Sequence, residues 1–317
     1  MNIEELKLAL NFIDDEAVVK SITLYVTSPD GLQLFNMVDD DLNELLPIYT
    51  SLVHSKLLDI DNVSLGDYSV TSARENMIYR YDLAEEQRTP EMVNMTLAGT
   101  VENPSYFTVN SESLEKITGI YVVINDAEHR IVLYKQISPV DKTYGRSTYW
   151  FGLKADNSMF ERKRESMLRL TPGVQMLYVD GEIILIDMMK LEAALGLDAI
   201  LQREAQATYQ SVESKNIAMD ISLVKDVCQQ PSMLKKLRHA LTESKVKDKT
   251  NAEIIQFAQG QPKLRFKFNE DNTRFDLTTK AAAKRFIKLL DDDYLFSNLT
   301  QEDYDSEQKG ILVQAEE

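Results

Sequence analysis

The chain has 317 residues, 44% of them apolar, and its 35 lysines and arginines are outnumbered by 51 aspartates and glutamates for a net charge of −16. This length and composition exclude a disordered or fibrous chain and leave room for two domains. Cys228 is the only cysteine, which excludes an intrachain disulfide and a CxxC metal site.

Glu4 and Glu5 interrupt the apolar residues at the N-terminus, unlike the basic-then-apolar order of a signal peptide. No apolar run approaches the ~20 residues that span a bilayer. A cytoplasmic, soluble protein is therefore expected. Ser21–Thr27 is β-branched and aromatic, and the turn Pro29-Asp30-Gly31 joins it to Leu32–Val38 as a hairpin. Asp39–Leu57 reads as a helix with Asp39, Asp40 and Asp41 in its first turn, where the dipole favours negative charge. Ile117–Asn125 and Arg130–Ile137 read as strands. Val174–Val179 and Glu182–Ile186 flank Asp180-Gly181, a pair suited to a type I′ turn with positive φ. Beyond Asp187 the apolar spacing changes to three and four. Helices are expected over Met188–Leu195, Leu197–Tyr209, Ile221–Gln229 and Met233–Val246. A β return at Lys263–Phe268 and Thr273–Leu277 precedes a last helix over Thr279–Leu290. The class is α+β: a mixed strand-helix N-terminal part, a β-hairpin-rich centre, a helical region, and a C-terminal β-return plus helix.

The charge is segregated. Residues 1–115 hold 6 basic and 21 acidic side chains, whereas residues 130–170 hold 9 and 4, and residues 232–288 hold 14 and 6. The step near residue 115 suggests an acidic N-terminal α/β domain over 1–115 and a second domain over 116–317. Charges beyond about 8–10 Å are screened at physiological salt, so a polyanion feels the local block and not the total.

Catalytic signatures are missing. There is no GxxxxGK[ST], GxGxxG or GxSxG, and His54, His129 and His239 lie far apart in the chain. Carboxylate-x-lysine pairs such as Glu161/Lys163 and Glu243/Lys245 occur near the frequency of random placement, about 3.5 for this composition. Asp39–Asp41 and Asp291–Asp293 read as helix ends or solvated turns, because consecutive helical residues point in different directions. No catalytic residue, metal or cofactor is assigned.

The basic segments are more informative. Lys263-Leu264-Arg265-Phe266-Lys267-Phe268 alternates, so a strand places Lys263, Arg265 and Lys267 on one face about 6–7 Å apart. The same pattern suits an edge strand protected by lysines, and both readings stand. In the last helix, Lys280, Lys284, Arg285 and Lys288 lie opposite Ala282, Phe286, Leu289 and Leu290. Lys235, Lys236 and Arg238 lie outside the Met233, Leu237, Leu241 stripe of their helix, and Arg162, Lys163 and Arg164 are consecutive, with Arg169 following. Distributed cations of this kind neutralise phosphates without reading bases. Tyr149-Trp150-Phe151 is read as core, although Trp150 is also able to stack on a base.

The C-terminal run from Lys284-Arg285-Phe286 through Asp291-Asp292-Asp293-Tyr294-Leu295, continuing by Ser297-Asn298-Leu299-Thr300 to Tyr304 and Lys309, carries a resemblance. It is similar to the closing motif of the uncharacterised-domain family that contains KwaB of the Kiwa bacterial anti-phage defence system. Phe151-Gly152-Leu153-Lys154, the Val174–Asp187 hairpin and Met188–Tyr209 fit the same family, over roughly residues 117–312. The resemblance implies a gene paired with one for a KwaA-like membrane protein that detects phage attack. It also implies dimers assembled with that partner beneath the inner membrane, which bind double-stranded DNA and hinder replication or transcription of the phage genome. It supplies no catalytic residues. The reading is a DNA-binding effector; a metal-dependent nuclease and an interaction module without DNA affinity are its alternatives.

Overall fold

The Asp180-Gly181 turn forms with φ of +49° and +85°, as a type I′ hairpin requires. It joins two of the central strands of the fold. The protein is described from a computed structural model that covers residues 1–15, 17–59, 63–71, 76–108, 111–143, 150–154, 159–163, 167–297 and 302–305. Its contacts divide the chain into two units: Met1–Gly66 with Ala73–Leu195, and Asp67–Ser72 with Gly196–Glu317.

In the first unit, α1 (Ile3–Leu10) is started by a reciprocal capping box between Asn2 and Glu5. Strands β1 (Ser21–Ser28) and β2 (Gly31–Leu34) form the first hairpin. The helix α2 (Asp39–Val53) then runs into a π turn over His54–Leu58. Strands β3 (Ser64–Asp67) and β4 (Met77–Arg80) follow, then α3 (Pro90–Leu97), capped by Thr89 with proline at its first position, and α4 (Ser111–Lys116). Next come β5 (Gly119–Asn125) and β6 (Arg130–Gln136), whose turn is tied by Asp126. Its Oδ1 accepts the backbone N–H of Glu128 at 2.7 Å and of His129 at 2.6 Å, which holds the carboxyl down at about 2.

Two short ladders, β7 (Lys142–Thr143) with β10 (Met167–Leu168) and β8 (Trp150–Lys154) with β9 (Met159–Lys163), precede β11 (Met176–Val179), β12 (Glu182–Leu185) and α5 (Met188–Leu195). One eight-stranded sheet results, in the order β2-β1-β5-β6-β11-β12-β4-β3. Alternation assigns its faces. Val122 and Ile124 of β5 stand opposite Leu133 and Ile131 of β6, and Leu177 and Val179 of β11 continue the two rows. These rows pack with Leu6 and Leu10 of α1 and with Tyr49 and Val53 of α2. On the other face Tyr121 meets Tyr134 at 5.0 Å between ring centroids. Gly119 admits the Tyr134 ring, since a Cβ there would stand 2.5 Å from it.

The second unit is mainly helical: α6 (Leu197–Arg203), α7 (Ala205–Lys215), α8 (Ser222–Val227), α9 (Pro231–Thr242) and α10 (Asn251–Gly260). Then come the pair β13 (Lys267–Phe268) and β14 (Phe275–Asp276), α11 (Lys280–Leu290), and the pair β15 (Tyr294–Ser297) and β16 (Glu302–Asp305). Its apolar core runs from Leu201 to Leu290.

The α+β class, with strands dominating before Asp187 and helices after it, holds. Three local expectations change. The helix read over Leu197–Tyr209 is divided at Glu204 into α6 and α7. The strand read over Lys263–Phe268 is reduced to β13, because a 3-10 turn occupies Pro262–Leu264 and Arg265 adopts φ of +51°. The division near residue 115 is not where the contacts divide the chain, because β1 pairs with β5 across it over seven residues. A charge step describes surface side chains, whereas backbone pairing decides which strands share a core.

Candidate nucleic-acid interface

The interface is built around α11. Thr279 caps it by accepting the N–H of Ala282 at 3.1 Å. Ala282, Ala283, Phe286, Ile287, Leu289 and Leu290 are buried, and the apolar and basic faces separate at the helical period. On the other side Lys284 is exposed and Arg285 and Lys288 are half-buried. Lys280 is exposed but paired with Asp226 at 2.7 Å.

Phe286 lies edge-on to Phe275 at 5.3 Å, and Phe275 is in turn met by Phe266 at 5.0 Å and Phe268 at 5.1 Å. This ring cluster fixes the segment before β13. The alternation survives the loss of the strand: Lys263, Arg265 and Lys267 are exposed, while Leu264, Phe266 and Phe268 turn inward. The guanidinium of Arg285 stands 6.0 Å from the centroid of the Phe266 ring. Two basic stretches separated in sequence therefore meet at Phe266, whose sequence neighbours Arg265 and Lys267 are exposed. Nε of Arg285 is buried and makes no hydrogen bond among the described residues, which leaves the fork incompletely satisfied.

Helix α9 contributes otherwise than its sequence suggests. Lys235 is 2% exposed, with Nζ 4.0 Å from the centroid of the Tyr68 ring. Lys236 points Nζ at Asp293 (2.5 Å) and Asp291 (3.6 Å), and Nδ1 of His239 lies 2.5 Å from Oδ1 of Asp291. These two lysines are parts of the interior and of a buried ion network, so neither is available to a phosphate. Their side of α9 is covered by Tyr68 and by the end of α11. Arg238 is half-buried, and its Nη1 has no partner among the described residues. The Asp291–Asp293 run was expected to be a helix end or a solvated turn: Asp291 caps α11, Asp293 is 0% exposed, and only Asp292 is exposed. Its partners 52 and 57 residues away carry no local sequence signal.

The remaining cations belong to the first unit. Arg169 is exposed, and its backbone N–H donates to the Asp141 carbonyl at 2.7 Å. Arg162 and Lys163 lie in β9, where only the backbone is described, and Arg164 falls outside the described residues. Tyr149 also lies outside them, and the side chains of Trp150 and Phe151 are not described. Burial pushes the Cys228 thiol up to about 12, so it stays protonated at neutral pH and is no nucleophile. Each histidine faces a carboxylate: His54 Asp14, His129 Asp126 and His239 Asp291.

Residues 114–300, which include α11, the Phe266 cluster and α9, match the family described as Kiwa protein KwaB-like. The chain belongs to this family. It is also 21% identical to the Kiwa protein KwaB of Escherichia coli O55:H7 (strain RM12579 / EPEC), over 98% of this chain and 99% of that protein. No solved structure matches it. The KwaB-like match begins within α4, close to the step in charge and well before the division between the two units.

Proposed function

We propose that this KwaB-like chain is the DNA-binding effector of a membrane-associated anti-phage defence complex, holding duplex DNA through its phosphates and hindering replication or transcription of phage DNA. The carrying observation is the meeting of the Lys263–Phe268 segment with α11 at Phe266, which gathers Arg265, Lys267, Lys284 and Arg285 on one unit. The acidic first 115 residues disfavour DNA elsewhere or face a KwaA-like membrane protein. No helix is long and apolar enough to cross a membrane among the described residues, and that partner supplies the membrane association in this reading. The chain acts as a homodimer, as a binding protein and not an enzyme.

With about six phosphates engaged, log affinity would fall with log salt at a slope near −5; with the α9 lysines withdrawn, about four remain and the slope is between about −3 and −4. Mobility shifts on long duplexes of unrelated sequence test this. Arg265→Glu with Lys267→Glu, and separately Lys284→Glu, weaken binding to all sequences alike and flatten the salt slope by about 1 per lost contact. No retardation at low salt, or retardation insensitive to salt, overturns the reading. Supercoiled plasmid incubated with Mg²⁺ or Mn²⁺ stays intact; nicking lost on removal of one carboxylate would establish the nuclease instead.

A further inference from the structure

A second feature of the helical unit is unrelated to the cationic face. Between α10, the turn over Lys245–Asp248 and the C-terminal end of α11 lies an open cleft of about 250 Å³. Ile254 and Leu289 form its floor, Val246 and Phe257 its walls, and Lys249, Glu253 and Asp292 its rim. Phe257 is 46% exposed, a large aromatic surface left to water in a cavity.

The volume is below the roughly 300–1,000 Å³ of sites that enclose a small molecule. It suits one bulky side chain. The rim defines what accompanies it. Glu253 already accepts the N–H and hydroxyl of Thr250, each at 2.8 Å, and pairs with Lys249 at 3.5 Å. Asp292 is exposed and pairs with no cation among the described residues, while Asp291 and Asp293 on either side of it turn inward to α9. It follows the 11-residue helix α11 at the negative end of its dipole, where a cation is favoured.

From this we infer that the cleft is a docking site for a segment of a partner protein in which a leucine or phenylalanine is followed by an arginine or lysine. The apolar side chain fills the space between Val246 and Phe257, and the cation pairs with Asp292.

The test uses the full chain and two probes, acetyl-Gly-Ser-Phe-Arg-Ser-Gly-amide and its counterpart with glutamate in place of arginine. Each is followed by ligand-observed saturation-transfer NMR at about 1 mM, where weak sites are occupied. The arginine peptide gives transfer and the glutamate peptide at least fivefold less. Phe257→Ser abolishes the signal, and Asp292→Asn brings the arginine peptide down to the level of the glutamate peptide. Asparagine keeps the left-handed conformation that Asp292 adopts, φ of +60°, so this change removes charge without straining the turn. Unchanged thermal melts for both variants show that folding is retained. Equal transfer from the two peptides, no transfer from either, or transfer that persists in both variants overturns the proposal. Concentration-dependent self-association that is lost in Phe257→Ser overturns it too, since a second copy would then be the occupant.

Discussion

Lys236 stands between two buried carboxylates, and the consequence of its removal falls on them. Lys236→Ala takes the nearest cation from Asp293, which is 0% exposed, and from Asp291. Breaking a buried pair from one side costs about 3–5 kcal/mol, and chemical denaturation should show that loss. Lys284→Ala, on the exposed side of α11, should stay within about 0.5 kcal/mol. The two lysines are indistinguishable by residue type and both lie off an apolar stripe. What separates them is the neighbour, Asp293 for one and solvent for the other, and no periodicity within α9 encodes a carboxylate 57 residues away. Lys235 makes the same point, since the Tyr68 ring that covers it comes from a segment far upstream. Charge placement in a sequence locates cations on a helix but does not say which of them reach water.

At the scale of elements, legibility follows how local the determining physics is. α11 was readable because Thr279 caps it and its apolar residues recur at the helical period. The β11–β12 hairpin was readable because Asp180-Gly181 supplies two positive φ angles. Lys263–Phe268 was half-readable: side-chain alternation gave the correct inward and outward residues, but Arg265 in a left-handed conformation interrupts the ladder. α10 escaped notice, although Thr250 and Glu253 form a capping box whose spacing is a start signal. Because the basic segment rests on α11 through rings, a core change should reach the surface. Phe286→Ala removes a ring packed on Phe275, which itself holds Phe266. It should cost about 3–5 kcal/mol in denaturation experiments. It should also weaken DNA retardation in variants still folded, although no charge is altered.

For the whole molecule, net charge misleads. A total of −16 argues against a polyanion, yet residues 232–288 hold 14 basic and 6 acidic side chains, and screening lets such a block act locally. The division into units was not legible from that same segregation, because the sheet recruits strands from both sides of residue 115. Membership of the KwaB-like family rests on residues 114–300 and tempts one to treat that stretch as self-sufficient. The sheet says otherwise. In a fragment starting there, β5 would lose β1 along its length and β12 would lose β4. Six of the seven residues of β5 are buried in the intact protein, so the fragment would present an uncovered apolar strand as a template for other chains. Such a fragment should sediment as aggregate or inclusion bodies, where the full chain stays in the supernatant. Recombinant designs, fusions and evolutionary recombination alike must then carry the acidic leading residues along with the family core, as a chaperone physically built into the same sheet.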